Sequence, residues 1–434
     1  MKRYTSILFT MCLSVTFSFL TAYAGVNDKS WPEVDAKAVA EWRELGFGMF
    51  IHWGPVSLTG HEIGWSRGKQ TPIEEYDNLY KRFNPEKFDA DAWVKTAKDA
   101  GMKYMVLTTK HHDGFCLWPS DVTDYDIAST PFKRDVVGEL AEACKQQGIK
   151  FGTYYSSCDW HHPAYPLGSP GGRTKKPNPD LAAYNKYLSA QVKELATRYG
   201  PLVTLWFDVP QAYSRKYGLD MVTKLRKMQP KIMINNRAYA RAPGDFLTPE
   251  QKIGGFNRDR PWETCMTICH QWAWKPNDKM KSLKQCIQTL LMTVGGDGNL
   301  LFNVGPMPDG LIEERQVKRL KEMGEWLDDY GKCVYKTRGG PFKPGVWGAS
   351  TCRENKIYLF VMQWNDNSIV LPSIGTKVKE AKSLSGAKVE MLQNDDGITL
   401  SLPVEKQDAI TTVIELTIEG DAISITPVGV SATD

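Results

Sequence analysis

The sequence predicts a β/α barrel followed by an antiparallel β-sandwich. From residue 46 to residue 330, short apolar runs alternate with amphipathic segments, an order typical of parallel β/α units. After residue 345 the helical signal ends, and short strands follow at intervals of about a dozen residues with Asn, Asp and Gly turns between them. We therefore divide the chain into a leader (1–24), an α/β barrel domain (25–344) and a β-sandwich (345–434).

The leader predicts export. Lys2 and Arg3 precede an apolar stretch that ends in the sequence AYA at 22–24, the small-residue pattern after which signal peptidases cut. We expect the mature chain to begin at Gly25 and to reach the periplasm or the exterior of the cell.

Composition narrows the classes of partner. The chain has 434 residues, of which 42% are hydrophobic and 24% charged, as in an ordinary globular protein with a sizeable core. Loss of the leader, which carries two basic and no acidic residues, lowers the formal net charge from +4 to +2. Without a long basic run or a later apolar run of about 18 residues, neither nucleic acid nor a membrane is indicated as partner. The eight cysteines after residue 24 are scattered, so we expect free or buried thiols.

The barrel elements follow one another along the chain. Seven strands, each with a crossover behind it, are expected at 46–54, 102–115, 149–160, 202–208, 231–237, 262–268 and 299–306. Helices are expected at 89–100, 133–147, 180–199, 217–228, 282–293 and 312–330. One strand of an eight-stranded barrel is then weak or missing, and we expect it at 333–337.

The sandwich strands are short and rich in β-branched residues. They are expected at 357–364, 368–372, 388–394, 397–403 and 411–420. No candidate site stands out among them, so we expect this domain to serve in packing rather than in sugar binding.

The segment LVTLWFDVP (202–210) contains the first candidate catalytic residue. Its apolar run ends in Asp208, and Pro210 cannot continue a strand. β/α barrels place their chemistry at the carboxyl ends of buried parallel strands, where Asp208 would lie. An aspartate in this position is equally suited to capping the next helix.

Histidine and tryptophan are concentrated in the same loops. Five of the seven histidines follow strands, which would bring them to one end of a barrel: His52, His111, His112, His161 and His162. Six tryptophans share those loops: Trp53, Trp65, Trp118, Trp160, Trp206 and Trp272. Aromatic rings stack on the apolar faces of sugars while polar groups bind the hydroxyls, so the mixture favours a carbohydrate pocket.

Hydrolysis of a glycoside requires a second carboxyl group. Glu263, which follows a Pro-Trp pair and opens a β-rich segment, is our first choice, and Arg258 and Arg260 lie just upstream. Glu62 and Asp259 remain alternatives.

Six motifs carry a family resemblance. FGMFIHWGP, KYMVLTTKHHDGFCLW, LWFD, PWETCMTI, GNLLFNVGPMPDG and IYLFVMQW resemble the motifs of α-L-fucosidases of glycoside hydrolase family 29. The similarity runs from about residue 42 to the C-terminal strands. KHHDGF together with LWFD is long and unusual enough to be specific.

The resemblance implies a β/α barrel with a β-sandwich and a retaining mechanism without metal or cofactor. It implies Asp208 as nucleophile and Glu263 as acid/base, acting on a fucosylated oligosaccharide or glycoconjugate. Sugar contacts are expected from His52, Trp65, His111, His112, Tyr155, Trp206, Arg237, Arg258 and Trp272. The sequence departs from the family's LWFDG at Val209 and from its SWGY-like run at HQWAW (270–274), which bears on aglycone and sugar specificity.

Two other classes of function compete with this interpretation. A metal hydrolase would use ligands from His111, His112, Asp113, Asp159, His161 and His162. Adjacent side chains of a strand alternate in direction, which disfavours a shared site for the paired histidines. The second alternative is a fucose-binding protein that has kept the barrel and lost its chemistry.

Overall fold

The computed structural model describes residues 28–172 and 174–431. The predicted leader at 1–24 lies outside the described residues. Within the described part, no helix combines the length and apolar character needed to cross a membrane. The eight cysteines of that part are all free and buried, which confirms the prediction.

The first domain is built on a parallel seven-stranded sheet with helices packed outside it, as predicted. Its neighbouring strands run in the order β5-β4-β3-β2-β1-β7-β6. The strands are β1 (Phe47–Ile51), β2 (Tyr104–Lys110), β3 (Lys150–Ser156), β4 (Thr204–Asp208), β5 (Met233–Ile234), β6 (Glu263–Thr267) and β7 (Asn299–Val304). The helices are α1 (Ala36–Arg43), α2 (Ile73–Asn78), α3 (Ala90–Asp99), α4 (Val136–Gln147), α5 (Leu181–Arg198), α6 (Arg215–Met228), α7 (Leu283–Gly295) and α8 (Glu314–Tyr330).

The segment 246–250 closes the barrel between β5 and β6. It forms parallel bridges on both sides, with Asn235↔Phe246 toward β5 and with Leu247↔Trp262 and Glu250↔Cys265 toward β6. The prediction of an eighth strand at 333–337 is therefore wrong. The actual segment, FLTPE, has a weak strand signal because Pro249 has no N–H to donate.

The C-terminal domain consists of two antiparallel sheets around their own apolar core. Its strands are β8 (Arg338–Gly339), β9 (Gly348–Arg353), β10 (Lys356–Val361), β11 (Ser368–Pro372), β12 (Val378–Ser383), β13 (Glu390–Gln393), β14 (Gly397–Ser401) and β15 (Thr412–Ile418). One sheet has the order β12-β15-β10-β9-β8 and the other β11-β14-β13. Because β8 pairs with β9, this domain begins earlier than residue 345.

Alternate residues of the barrel strands face two different cores. Phe50, Tyr154 and Trp206 belong to the cluster inside the barrel, whereas Tyr155 and Phe207 belong to the cluster between strands and helices. A shift of one residue thus moves a side chain from one side of the sheet wall to the other. This alternation decides which strand residues reach the functional site.

Candidate functional site

Asp208 is the last residue of β4 and lies at the carboxyl end of the barrel. Its Oδ2 accepts a hydrogen bond from the Tyr154 hydroxyl at 2.8 Å, and its Oδ1 accepts one from Arg237 Nη1 at 2.8 Å. His112 Nε2 lies 3.8 Å from Oδ2. The side chain retains 14% of its accessible surface, so this carboxylate is held firmly and still faces the barrel mouth.

The surroundings of Asp208 favour its ionised form. Burial on its own raises the pKa of this carboxyl group, but its electrostatic interactions with Arg237 and His112 outweigh that effect and lower the pKa. The hydrogen bonds from Arg237 and Tyr154 act in the same direction. Asp208 is therefore a carboxylate at neutral pH, as a nucleophile requires.

Arg237, which follows β5, joins Asp208 to a second carboxylate. Its Nη1 donates to Asp208 and also to Glu250 Oε2, at 3.0 Å. Because one nitrogen binds both oxygens, at 2.8 and 3.0 Å, these oxygens are at most 5.8 Å apart. Thr248 accepts two further bonds from the same guanidinium, each 3.0 Å long, so the orientation of Arg237 is fixed.

Glu250 ends the segment that closes the barrel and is not among the site residues predicted from the sequence. Its side chain is 43% exposed, which leaves one face open to a ligand. The only sequence signal is a carboxylate after the short apolar run FL, between two predicted strands. Pro249 interrupts the strand pattern there, and the segment was not recognised as part of the barrel.

Glu263 opens β6 and therefore lies at the amino end of the barrel, opposite to the end that carries Asp208. The residue is 1% exposed. Its oxygens accept hydrogen bonds from the Tyr104 hydroxyl and from Trp206 Nε1 at 3.0 Å. Burial raises the pKa of Glu263 to about 7. Because Glu263 starts its strand, the fold does not bring it beside Asp208 at the mouth, as its choice as the second carboxyl group requires.

The two arginines upstream of Glu263 serve other contacts. Arg258 donates to the backbone carbonyls of Gly339 and Ile425 at the junction with the C-terminal domain, and Arg260 donates to the carbonyl of Pro243. The prediction that Arg258 contacts the sugar is therefore wrong. Arg258 was chosen because it lies near Glu263 in the sequence, but its guanidinium binds at the junction with the C-terminal domain and not beside Asp208.

His52, His111 and His112 form one cluster at the ends of β1 and β2. The rings of His111 and His112 are 3.9 Å apart, and those of His52 and His111 are 5.6 Å apart. Burial lowers the pKa of His52 to about 3 and that of His112 to about 4, and it takes the pKa of His111 well below its usual value. The three imidazoles are thus neutral at physiological pH.

Asn303 fixes the tautomer of His52. The amide nitrogen of Asn303 donates to the Trp272 carbonyl at 2.8 Å, so its Oδ1 must accept the 2.6 Å bond from His52 Nδ1. A neutral His52 with its proton on Nδ1 presents Nε2 as an acceptor. Asn303 was not among the predicted site residues, because an asparagine inside an apolar run carries no distinctive signal.

Three tryptophans stand around the histidines. The Trp272 ring lies 4.7 Å from His52, and the Trp65 ring packs at 5.4 Å against both His112 and Trp160. Trp65 is 40% exposed, which fits a surface-lining role. Trp53 and Trp118, in contrast, are buried in the core between strands and helices.

Tyr155 does not belong to the site, and the prediction that it does is wrong. It faces outward to α5, where its hydroxyl donates to Gln191 Oε1 at 2.7 Å. The residue before it, Tyr154, faces inward and bonds Asp208. Period-two alternation along β3 accounts for the one-residue difference.

The remaining candidates occupy other positions. Glu62 accepts the backbone N–H groups of Trp272 and Ala273, each at 2.9 Å, and so ties two mouth loops together. Asp259 is an exposed loop residue.

Three of the six residues of the metal-hydrolase alternative are engaged by other side chains. Buried Asp159 pairs with Lys110, and Asp113 accepts from Tyr76. His161 stacks on Tyr125 at 3.9 Å. Across residues 28–172 and 174–431, no three His, Cys, Asp or Glu side chains are grouped so that they could hold a metal ion.

The chain resembles known proteins over most of its length. Residues 17–332 match the profile of the family described as Alpha-L-fucosidase. The chain belongs to the alpha-L-fucosidase family. One member, the plasma alpha-L-fucosidase of Homo sapiens, is 30% identical over 374 residues, which cover 78% of this chain and 79% of that protein.

Solved structures of the alpha-L-fucosidase family share the fold. The alpha-L-fucosidase isoenzyme 1 of Paenibacillus thiaminolyticus is 35% identical with a TM-score of 0.81, over 88% of this chain and 99% of that one. An alpha-L-fucosidase of Bacteroides thetaiotaomicron is 28% identical with a TM-score of 0.81, over 92% and 99% of the two chains. The latter was captured as a covalent intermediate in complex with 2-fluoro-fucosyl fluoride, by use of a glutamate-to-glutamine mutant.

Proposed function

We propose that this chain is a retaining exo-α-L-fucosidase that releases terminal α-L-fucose from glycans or glycoconjugates, with Asp208 as nucleophile and Glu250 as acid/base. The observation that carries the proposal is the bridge of Arg237 between these two carboxylates. Retaining glycosidases separate their carboxyl groups by about 5–5.5 Å, which the upper limit of 5.8 Å between the bridged oxygens accommodates.

In the first step Asp208 attacks the anomeric carbon of the fucose residue. The bond from that carbon to the leaving oxygen breaks, and protonated Glu250 supplies the proton that the leaving oxygen takes up. Asp208 is suited to the attack because Arg237 and Tyr154 keep it ionised and aimed at the mouth. Their hydrogen bonds also stabilise the carboxylate when it leaves again.

In the second step Glu250, now ionised, takes a proton from water, and the resulting hydroxide displaces Asp208 from the sugar. The configuration at the anomeric carbon is therefore retained. The covalent intermediate captured in the relative from Bacteroides thetaiotaomicron supports this double displacement.

Fucose recognition rests on neutral imidazoles and on aromatic rings. His52 Nε2 is an acceptor for a sugar hydroxyl, since Nδ1 is bound to Asn303. His111 Nδ1 is buried and has no partner among the described residues, so it is available to a second hydroxyl. Trp65 and Trp272 offer apolar surface for the methyl group and the ring face of a deoxy sugar.

The proposal assigns the proton donor to Glu250 rather than to Glu263. Glu250 lies at the same end of the barrel as Asp208 and is partly open, whereas Glu263 is buried under Trp206. A proton donor must reach the leaving oxygen, and this requirement favours Glu250.

The test compares the wild type with Asp208→Gly on an aryl α-L-fucoside. The wild type is expected to release α-L-fucose first, as seen by NMR, and the same rate is expected after treatment with a chelator. Asp208→Gly is expected to lose activity by orders of magnitude and to regain turnover with azide, forming the azide of inverted configuration. β-L-Fucose as first product, or binding of fucose without any hydrolysis, would contradict the proposal.

We further propose that the chain is exported to the periplasm or secreted. The basic, apolar and small-residue pattern of residues 1–24 supports this. The intact mass of the enzyme from its native host is expected to match a chain that begins at Gly25. A mature mass that includes residues 1–24 would contradict export by cleavage.

A further inference from the structure

Glu263 is a buried carboxyl group for which the proposed mechanism has no use. It lies on the floor of the barrel, at the start of β6, and opposite it Tyr104 starts β2. Gly48 leaves room at this end of the barrel for the Tyr104 side chain to reach Glu263. A Cβ atom on Gly48 would lie 2.5 Å from the Tyr104 ring, so only glycine lets that ring cross the barrel to Glu263.

The carboxyl group of Glu263 accepts two hydrogen bonds, one on each oxygen. Tyr104 donates to Oε2 at 2.5 Å, and Trp206 Nε1 donates to Oε1 at 3.0 Å. An indole has a single polar atom. The bond to Glu263 therefore fixes how the Trp206 ring is rotated inside the barrel.

The Trp206 ring in turn supports the groups that hold the catalytic carboxylates. The Arg237 guanidinium lies over it, 4.7 Å from its centroid, and the Tyr154 ring stacks on it at 5.6 Å with an interplanar angle of 22°. Arg237 binds Asp208 and Glu250, and Tyr154 binds Asp208.

We propose that Glu263 is a positioning residue of the fucosidase reaction, which acts through Trp206 on Arg237 and Tyr154. The inference rests on the proposed function, because it requires Asp208 as nucleophile. Without the Glu263 acceptor the Trp206 indole can rotate. Arg237 and Tyr154, which hold the catalytic carboxylates, then lose the ring surface against which they pack. Misplacement of reacting groups by about 1 Å costs on the order of 10²-fold in rate.

The experiment measures trapping by 2-fluoro-fucosyl fluoride and counts labelled sites by intact mass. In this reaction the Asp208 carboxylate forms a bond to the anomeric carbon and fluoride leaves, so proton donation is not needed. Glu263→Leu is expected to be labelled to completion, about 10²-fold more slowly than the wild type. A role in folding alone would instead lower the labelled fraction and leave the rate constant of that fraction unchanged, which would overturn the proposal.

Conservative variants separate positioning from acid catalysis. Glu263→Gln keeps a carbonyl acceptor for Trp206, so its trapping rate and its hydrolysis of substrates with poor leaving groups are expected within about threefold of the wild type. If Glu263→Gln loses hydrolysis of poor leaving groups and keeps trapping, Glu263 is the acid/base and the positioning role is wrong. Glu263→Asp is too short to reach Trp206 and is expected to slow trapping like Glu263→Leu, which covers the case in which the leucine variant does not fold.

Tyr104→Phe is the matched control. It removes the other buried hydrogen bond of Glu263 and leaves the bond to Trp206, so it is expected to lower the melting temperature without slowing the trapping of each site. Equal slowing by Tyr104→Phe and Glu263→Leu would contradict an effect through Trp206. A wild type that is neither labelled nor active on aryl fucosides would refute the proposed function itself, a result distinct from each of these.

Discussion

The guanidinium of Arg237 lies 2.8 Å from the carboxylate of Asp208 and sets both the charge and the position of that residue. The same nitrogen reaches Glu250, so one side chain determines the spacing on which a retaining mechanism depends. Its own position is fixed by two hydrogen bonds to Thr248 and by the Trp206 ring beneath it.

Removal of this guanidinium is expected to impair catalysis and to shift its pH dependence. Arg237→Met should lower kcat/KM by about 10²–10³-fold, because a preorganised charge beside the reacting groups is lost. Arg237 lowers the pKa of Asp208, so without it the carboxylate becomes protonated at a higher pH. The acid limb of the kcat/KM profile, measured on an aryl fucoside, should therefore move to higher pH. An acid limb that stays in place would show that Asp208 does not govern it.

Replacement of the proposed acid/base is expected to depend on the leaving group. Glu250→Gln cannot donate a proton and should lower kcat/KM for fucosylated oligosaccharides by about 10²–10⁴-fold. A fluoride or dinitrophenolate leaves without protonation, so the first step should be nearly unaffected for such substrates. A series of aryl fucosides of graded leaving-group pKa measures this dependence. Equal losses across the series would argue against Glu250 as the acid.

Two adjacent tyrosines of β3 are expected to differ in their effects. Tyr154→Phe removes a hydrogen bond to a charged group and should lower kcat by about 10–100-fold. Tyr155→Phe leaves the site intact and removes the donor to Gln191, so it should cost about 1 kcal/mol of unfolding free energy and little activity. Urea denaturation and steady-state kinetics of both variants provide the comparison, and a reversed pattern would contradict the inward direction of Tyr154.

The residue after the nucleophile has a strained backbone. Val209 has φ of 46°, a conformation that a β-branched residue rarely adopts. Glycine avoids the left-handed cost of about 1–2 kcal/mol that alanine still bears. We therefore expect Val209→Gly to be more stable than Val209→Ala by about 1 kcal/mol, the reverse of the usual order of the two residues. Equal stabilities in thermal and chemical denaturation would show that the strain is relieved when the side chain is shortened.

Arg258 is expected to matter for stability and not for the reaction. Its guanidinium donates to Gly339 and Ile425 of the C-terminal domain. Arg258→Met should lower the unfolding free energy by about 1–3 kcal/mol, because partly buried carbonyls lose a charged donor. Its kcat/KM should equal that of the wild type, which also makes it the control for Arg237→Met. A selective loss of kcat would contradict this placement.

Part of the candidate site follows from local sequence pattern. Asp208, His52, His111 and His112 all follow apolar strands, and parallel strands bring such residues to one end of a barrel. Trp65 was identified because a tryptophan among Gly, Ser and Arg has no apolar neighbours to pack against.

The errors share a physical origin in side-chain direction and in strand polarity. Tyr155 was predicted as a sugar contact, but the sequence shows two adjacent tyrosines and only the pleat of β3 decides that Tyr154 is the one that faces inward. Glu263 was predicted as the partner of Asp208 because both residues adjoin a strand. Asp208 ends its strand and Glu263 starts one, so the two lie at opposite ends of the barrel. Glu250 was missed because the segment that carries it contains Pro249 and makes few ladder bonds.

The sequence by itself determined the order of strands and helices, the change to a second β-domain and the position of Asp208 at the end of a buried strand. Hydrophobic periodicity and strand-terminating residues are local properties, so they can be read from neighbouring residues in the sequence. Only the tertiary structure decided which second carboxylate meets Asp208. That meeting depends on the closure of the barrel by 246–250 and on the shared bond to Arg237, both of which join residues distant in sequence.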